Sequence, residues 1–242
     1  VKAGVFTVIK VIVYLFGLET LNGSDGSLLL AIIAGVTLLI SAVIAFRKDN
    51  LKARLAYSTI SQLSYIILGA AMATGAGIVG ASMHIVMHAT AKITLFFCAG
   101  AILVASHKTE ISQLDGIGRR MPITMGCFLV GCFGIIGIPP AGGALSKWYL
   151  MMGTAESDYI IFMFVWMGSS LLSAAYLLPI VLRAFFREPA AKASGKRKDR
   201  GTVMQEAPVL CLIGICTASV LTIGAFFIAD DLAGFLSPIA GI

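Results

Sequence analysis

Long apolar runs separated by short loops of alternating charge constrain this chain more than any other feature. Roughly 20 consecutive apolar residues cross a bilayer as a helix, and lipid tolerates only helices or closed barrels. Helical segments are predicted at about 1–18, 27–46, 54–74, 79–106, 121–152 (interrupted), 159–186 and 207–229. Only 12% of the residues are charged, about half the fraction usual in a soluble domain. The expected fold class is all-α: a polytopic membrane bundle of about seven helices, forming a single transmembrane domain over 1–242.

Loop charge supplies the topology. One set of loops holds Arg47, Lys48, Lys52, Arg54, Lys108, Arg119, Arg120, Arg183, Arg187, Lys192, Lys196, Arg197, Lys198 and Arg200. The opposite set holds Glu19, Asp25, Glu156, Asp158, Asp230 and Asp231, with no Lys or Arg. The positive-inside rule puts the basic loops in the cytoplasm, including a basic loop at 187–206, for a multi-pass protein of the cell inner (plasma) membrane. The net charge of +6 is then a topology signal, and nucleic acid is excluded as a partner. The first residue is Val1, with no signal-peptide layout, so a fragment of a longer protein is expected. Cys98, Cys127, Cys132, Cys211 and Cys216 all lie in apolar segments without metal-type spacing, and read as packing residues.

Four cations remain inside the apolar segments: Lys2, Lys10, Lys92 and Lys147. No Asp or Glu lies within a span to neutralise them. A charged lysine at mid-bilayer costs about 2.5–3.5 kcal/mol on insertion scales, so such residues mark a hydrated pathway unless they snorkel or pair. His84, His88 and Lys92 recur every four residues in "MHIVMHATAKITLFF", which stacks them on one helix face. Three titratable groups about 6 Å apart, bridged by water, make a segment of proton wire. Two readings compete: metal binding by the two histidines, which no HExxH glutamate or third ligand accompanies, and plain hydrogen bonding to neighbouring helices.

"GIIGIPPAGGALSKWYL" (134–150) is the second chemical signal. Pro139 and Pro140 remove backbone donors, and Gly142 and Gly143 are expected to loosen the chain. A broken helix at membrane depth is tolerated where protein or a wet cavity satisfies the freed groups, and Lys147 follows the break closely. "GAGIVG" (75–80) matches a dinucleotide fingerprint, but it is expected in a tight loop between membrane helices, with no preceding strand. Lys52 and Arg54 in "RKDNLKARLAYSTISQLSY" read as interface anchors, and "GKRKDR" (195–200) as a solvated loop.

Together, "DNLKARLAYSTISQLSY", "HIVMHATAKITLFFCAGAI", "DGIGRRMP" and "GIIGIPPAGGALSKWYL" resemble the antiporter-like proton-translocating subunits. That family includes the D and A subunits of Mrp-type multisubunit Na+/H+ antiporters and the large membrane-arm subunits of NADH:quinone oxidoreductase and membrane-bound hydrogenases. "SKWYL" with "DGIGRRMP" looks most like the Mrp D type. The resemblance implies about fourteen helices in two inverted five-helix repeats, each with a broken helix. This chain resembles the last seven, its second to sixth segments forming the second repeat.

By the same resemblance, Lys2 matches a central lysine of the eighth helix. His84, His88 and Lys92 match a polar line on the eleventh, and Lys147 the lysine at the break of the twelfth. The implied activity is proton translocation within a cation/proton antiporter, or as the pump of a redox-driven complex. The implied partners are other integral membrane subunits, protons, and Na+ or K+; no redox cofactor or metal is expected. The first repeat, with its membrane glutamate, is not among these residues.

Overall fold

A computed structural model describes residues 2–188 and 205–241, so most of the expected basic loop at 187–206 lies outside the described residues, as does Val1. Helix occupies each of the expected spans. The chain runs through α1 (Lys2–Lys10), which widens into π-type turns at Val11–Phe16, then a short α2 (Leu18–Leu21) and α3 (Asp25–Arg47). It continues through α4 (Leu51–Ala71), α5 (Gly75–Ser106), α6 (Pro122–Ile136), α7 (Gly143–Ala155) and α8 (Phe162–Phe186). It finishes with α9 (Val209–Phe227) and α10 (Ala229–Leu236). By length and composition, α3, α5, α8 and α9 are long and apolar enough to cross a membrane. At 21 residues, α4 is about 31 Å long, but its charged first turn dilutes its apolarity.

Capping explains where the boundaries differ from expectation. The Asn50 side chain accepts from the Ala53 N–H and starts α4 at Leu51, three residues ahead of the apolar run. The Thr74 hydroxyl accepts from the Gly77 N–H and starts α5 at Gly75. Residues 75–80 are therefore the first turns of a 32-residue helix, which corrects the tight loop expected there. Apolar periodicity could not reveal this, because glycines carry no side chain to pattern. At the other end of the chain, Asp230 and Asp231 sit in the first turn of α10, where the helix dipole favours acids.

The long α5 is the hub, packed against α4, α6, α7 and α9. Its start meets the end of α7 at two glycines. A Cβ on Gly153 would overlap the backbone of Gly77, while the Thr74 hydroxyl donates to the Gly153 carbonyl at 2.9 Å. Small residues that let backbones touch are the usual means of helix association in lipid. Hydroxyls join the remaining helices: Ser61 of α4 donates to Leu38 O of α3 at 3.1 Å, and Ser27 of α3 donates to Ala71 O of α4. The outward surface is apolar, with Leu29, Phe164, Leu171, Phe186 and Leu210 exposed, as expected of a lipid-facing bundle.

At the basic-loop end, Arg54 spans three segments. It donates to Lys48 O (2.8 Å), Tyr176 O (2.9 Å) and Phe46 O (3.2 Å), tying α3, α4 and α8 together. Its role is therefore wider than that of an interface anchor. Arg183 of α8 forks onto Asp115 at 2.8 and 3.4 Å, the single ion pair among the described residues.

Candidate functional site

Near Pro139 and Pro140 the fifth span stops being helical. Gly137 ends α6 in the left-handed region (φ 89°), and α7 restarts at Gly143. The last carbonyls of a helix have no partner inside it and carry the negative end of its dipole. Two of them meet a cation here: the Lys147 ammonium donates to Ile135 O at 2.8 Å and to Ile136 O at 3.0 Å. Its third bond reaches the Ser170 hydroxyl of α8 at 3.0 Å. An ammonium has three N–H donors, so this cage fits protonated Lys147 without any carboxylate. Gly142 and Gly143 are packed rather than loose. A Cβ on Gly143 would overlap the Gly134 carbonyl, and one on Gly142 would meet the Met87 sulfur.

From Lys147 the polar groups continue across α4 into α5. The ammonium lies 4.7 Å from the Tyr65 ring centre. The Tyr65 hydroxyl is 3.2 Å from Ser170 Oγ and donates to Trp166 O. Tyr65 stacks on His84 at 5.5 Å between ring centres, and His84 on His88 at 6.0 Å. Both histidines are buried. His84 Nε2 donates to Gln62 Oε1 at 3.1 Å, and Nδ1 lies 2.9 Å from Ser146 Oγ. Ser146 is also 3.2 Å from the Gly143 carbonyl.

That arrangement serves two charge states of the His84 ring. With an imidazolium, Nδ1–H donates to Ser146 and Ser146 donates to Gly143. With a neutral ring, the Ser146 hydroxyl turns to donate to Nδ1 instead. Rotation of one hydroxyl separates the two networks.

Lys92 forms a second polar node toward the basic-loop end. It is 5% exposed and donates to Leu55 O (3.0 Å) and Ser58 Oγ (2.8 Å). The Tyr176 hydroxyl of α8 also donates to Ser58, at 2.8 Å. Two acceptors suit the amine as well as the ammonium, in contrast to the three around Lys147. Between the nodes, His88 Nδ1, His88 Nε2 and Gln62 Nε2 are buried without a protein partner.

Of the five pathway residues expected from sequence, the structure links Lys147 to His84 and His88 through the Tyr65 ring, and gives Lys92 its own cage. Lys2 is half-buried on α1, which packs on α4 and α5, and no described side chain hydrogen-bonds to it. Lys10 is exposed and lies over the rings of Phe6 (5.7 Å) and Tyr14 (6.0 Å). Sequence reasoning missed Ser58, Gln62, Tyr65, Ser146, Ser170 and Tyr176. The first three carry a readable signal: polar residues at i, i+4 and i+7 put one polar stripe on α4 facing the α5 stripe. No group of three or more His, Cys, Asp or Glu converges among the described residues. A cavity of about 690 Å³ lies beside Lys147, Tyr65, Trp166 and Ser170, bounded outward by exposed Phe164, Met167 and Leu171.

Residues 1–173 match the family model described as NADH:quinone oxidoreductase/Mrp antiporter, TM. NADH-quinone oxidoreductase subunit N of Desulforudis audaxviator is 33% identical over 201 residues, covering 80% of this chain and 40% of the relative. Subunit L of Rickettsia conorii is 32% identical over 228 residues, covering 94% of this chain and 32% of the relative. Among solved structures, the Mrp complex from Dietzia sp. superposes with TM-score 0.85 at 20% identity, covering 99% of this chain and 51% of that one. Respiratory complex I from Thermus thermophilus with bound NADH gives TM-score 0.75 at 21% identity, over 99% of this chain and 50% of that one. Those two likenesses concern the fold alone. The chain thus spans about a third to a half of the length of the proteins it matches.

Proposed function

Given that the chain belongs to the NADH:quinone oxidoreductase/Mrp antiporter transmembrane family, we propose that it translocates protons as part of a multisubunit membrane complex. The observation that carries this reading is the buried line Lys92, His88, His84, Tyr65 and Lys147, which contains no carboxylate. Each member either exchanges protons or orients one that does. Lys147 holds a proton in its carbonyl cage and Lys92 sits in a cage that accepts either charge state. His84 passes a proton by turning Ser146. Bound water on the unpaired nitrogens of His88 completes the wire between the two nodes. The two lysines repel each other when both are charged, so loading one favours release from the other.

The cation exchanged is H+ against Na+ or K+ in the antiporter reading, with small hydrophobic membrane subunits as partners. The Mrp D assignment rests on "SKWYL" and "DGIGRRMP". Lys2, on α1 packed against α4 and α5, joins the path beside the buried line. The basic loops face the cytoplasm of a plasma-membrane protein, and the single transmembrane domain forms the second repeat of a longer subunit.

A second reading has its own support, because the relatives identical at 32–33% are NADH-quinone oxidoreductase subunits. Here the same wire is the pump of a redox-driven complex whose electron carriers lie in other subunits. Reconstituted full-length assembly separates the readings. Lys147→Ala and Lys92→Ala are expected to slow pH-gradient dissipation at least about tenfold, and wild-type rates in both would overturn the pathway. Co-purification with iron–sulfur subunits selects the redox complex, and co-purification with small hydrophobic subunits selects the antiporter.

A further inference from the structure

Away from the polar line, three helix ends meet around a cavity of about 270 Å³ on the basic-loop face, where α5 stops and α6 and α9 begin. Its lining is two-sided. Ile117 and Met121 form an apolar floor, and His107, Lys108, Arg120 and Gln205 a polar rim. The backbone holds this rim in place. His107 caps α5 in the left-handed region (φ 54°) with its N–H on Leu103 O, which turns Lys108 out of the helix line. Gln205 closes the opposite side, donating from its backbone N–H to Arg120 O at 3.0 Å and from its side chain to Ala105 O at 3.4 Å.

The cavity is positively charged, and its acidic neighbours are engaged elsewhere. Asp115 is held by the Arg183 fork. Glu206 caps α6, accepting from Ile123 N (2.7 Å), Thr124 N (3.4 Å) and Thr124 Oγ1 (2.6 Å). Among the described residues, Lys108 and Arg120 form no ion pair. Burial, then the Arg120 charge, hold the Lys108 ammonium below its ordinary range despite Asp115. An anion between the two cations relieves both effects.

We propose that this cavity binds the phosphate headgroup of an anionic phospholipid. Lys108 supplies a point charge and Arg120 a planar fork, a pairing suited to phosphoryl oxygens. The glycerol end rests on Ile117 and Met121. A lipid fits better than free phosphate for two reasons. Ala105, Ile117 and Met121 give the lining an apolar part, which a free anion does not use. Beside the rim, Val104, Ile123 and Val209 of the three converging helices are exposed, so acyl chains have a surface to follow. Basic pockets at helix ends are a recurring lipid-headgroup site.

Native mass spectrometry of the full-length protein in mild detergent tests the assignment, with phosphatidylglycerol and phosphatidylcholine as probes. Wild type is expected to retain phosphatidylglycerol in preference to phosphatidylcholine. Lys108→Gln and Arg120→Gln each lose at least about fivefold of that retention, as expected when one surface cation worth about 1 kcal/mol is removed. Exposed Arg47→Gln and Lys52→Gln, which remove the same charge from the same face, retain it. Lys108→Arg keeps the site charged and folded, and retains the lipid. Equal losses in the site and control variants, or unchanged retention in both site variants, would overturn the proposal. Displacement of the lipid by millimolar inorganic phosphate would overturn the lipid assignment in favour of a free-anion site.

Discussion

Single residues settle how a cation survives in lipid without a carboxylate. Lys147 is satisfied by two helix-end carbonyls and a hydroxyl, an arrangement no sequence pattern announces, because the carbonyls belong to every residue. The lysine was legible as an anomaly, whereas its cage became legible only with the break in three dimensions. Ser146 is a finer case. It reads as an ordinary helix serine, yet its hydroxyl separates the two charge states of His84. Ser146→Ala is expected to slow proton flux about tenfold and, by leaving buried His84 Nδ1 without its partner, to cost about 1–3 kcal/mol of stability; unaltered flux would remove the hydroxyl from the relay. Asp115 poses a purely structural question. Hydrogen bonds from Arg183 hold its carboxyl below the usual range, so its stabilisation is present above the ordinary carboxylate pKa and lost as pH falls through the folded value. For a partly exposed pair this is under about 1 kcal/mol. Thermal melts from pH 7 down to about pH 3 should show a loss that Asp115→Asn lacks, the variant being weaker at neutral pH.

Elements explain why some boundaries were readable and others were not. Apolar periodicity located the spans, but the starts of α4 and α5 were set by Asn50 and Thr74, whose hydrogen bonds lie just outside the apolar runs. The glycines at 75–80 looked like loop because their role is contact: they let α5 lie against α7. The same reasoning predicts which glycine substitutions matter. A Cβ on Gly153 runs into the backbone of Gly77, which cannot move aside, whereas one on Gly100 meets nothing within 4 Å. Gly153→Ala is expected to lower stability by about 1–3 kcal/mol, the usual cost of overpacking, and Gly100→Ala to leave it unchanged. Detergent melts of the two variants decide it, and equal melting temperatures would refute the close crossing. Since α7 carries both Lys147 and Ser146, Gly153→Ala should also lower proton flux, through displacement rather than chemistry.

For the whole molecule, charge sorting carries the proposed orientation. The basic ends of α3, α5 and α8 carry Arg47, Lys108 and Arg183. The same ends are tied together by Arg54 on three carbonyls and by Asp115 on Arg183. The acidic ends hold Asp25, Glu156 and the first turn of α10, and there Ser27 on Ala71 O, Thr74 on Gly153 O and Trp166 on Thr154 tie α3 to α4, α5 to α7 and α8 to α7. In the proposed orientation, with the basic loops in the cytoplasm, the polar line runs from Lys92, nearer that side, to Lys147. This orientation can be measured independently of transport. In a full-length background stripped of native cysteines, Lys52→Cys and Asp231→Cys both lie at exposed positions. A membrane-impermeant maleimide added to intact cells is expected to label Asp231→Cys and spare Lys52→Cys, and inside-out vesicles should give the reverse. Labelling of Lys52→Cys from outside would invert the bundle. It would then place the Lys92 cage nearest the outer face and reverse the direction in which the wire is loaded.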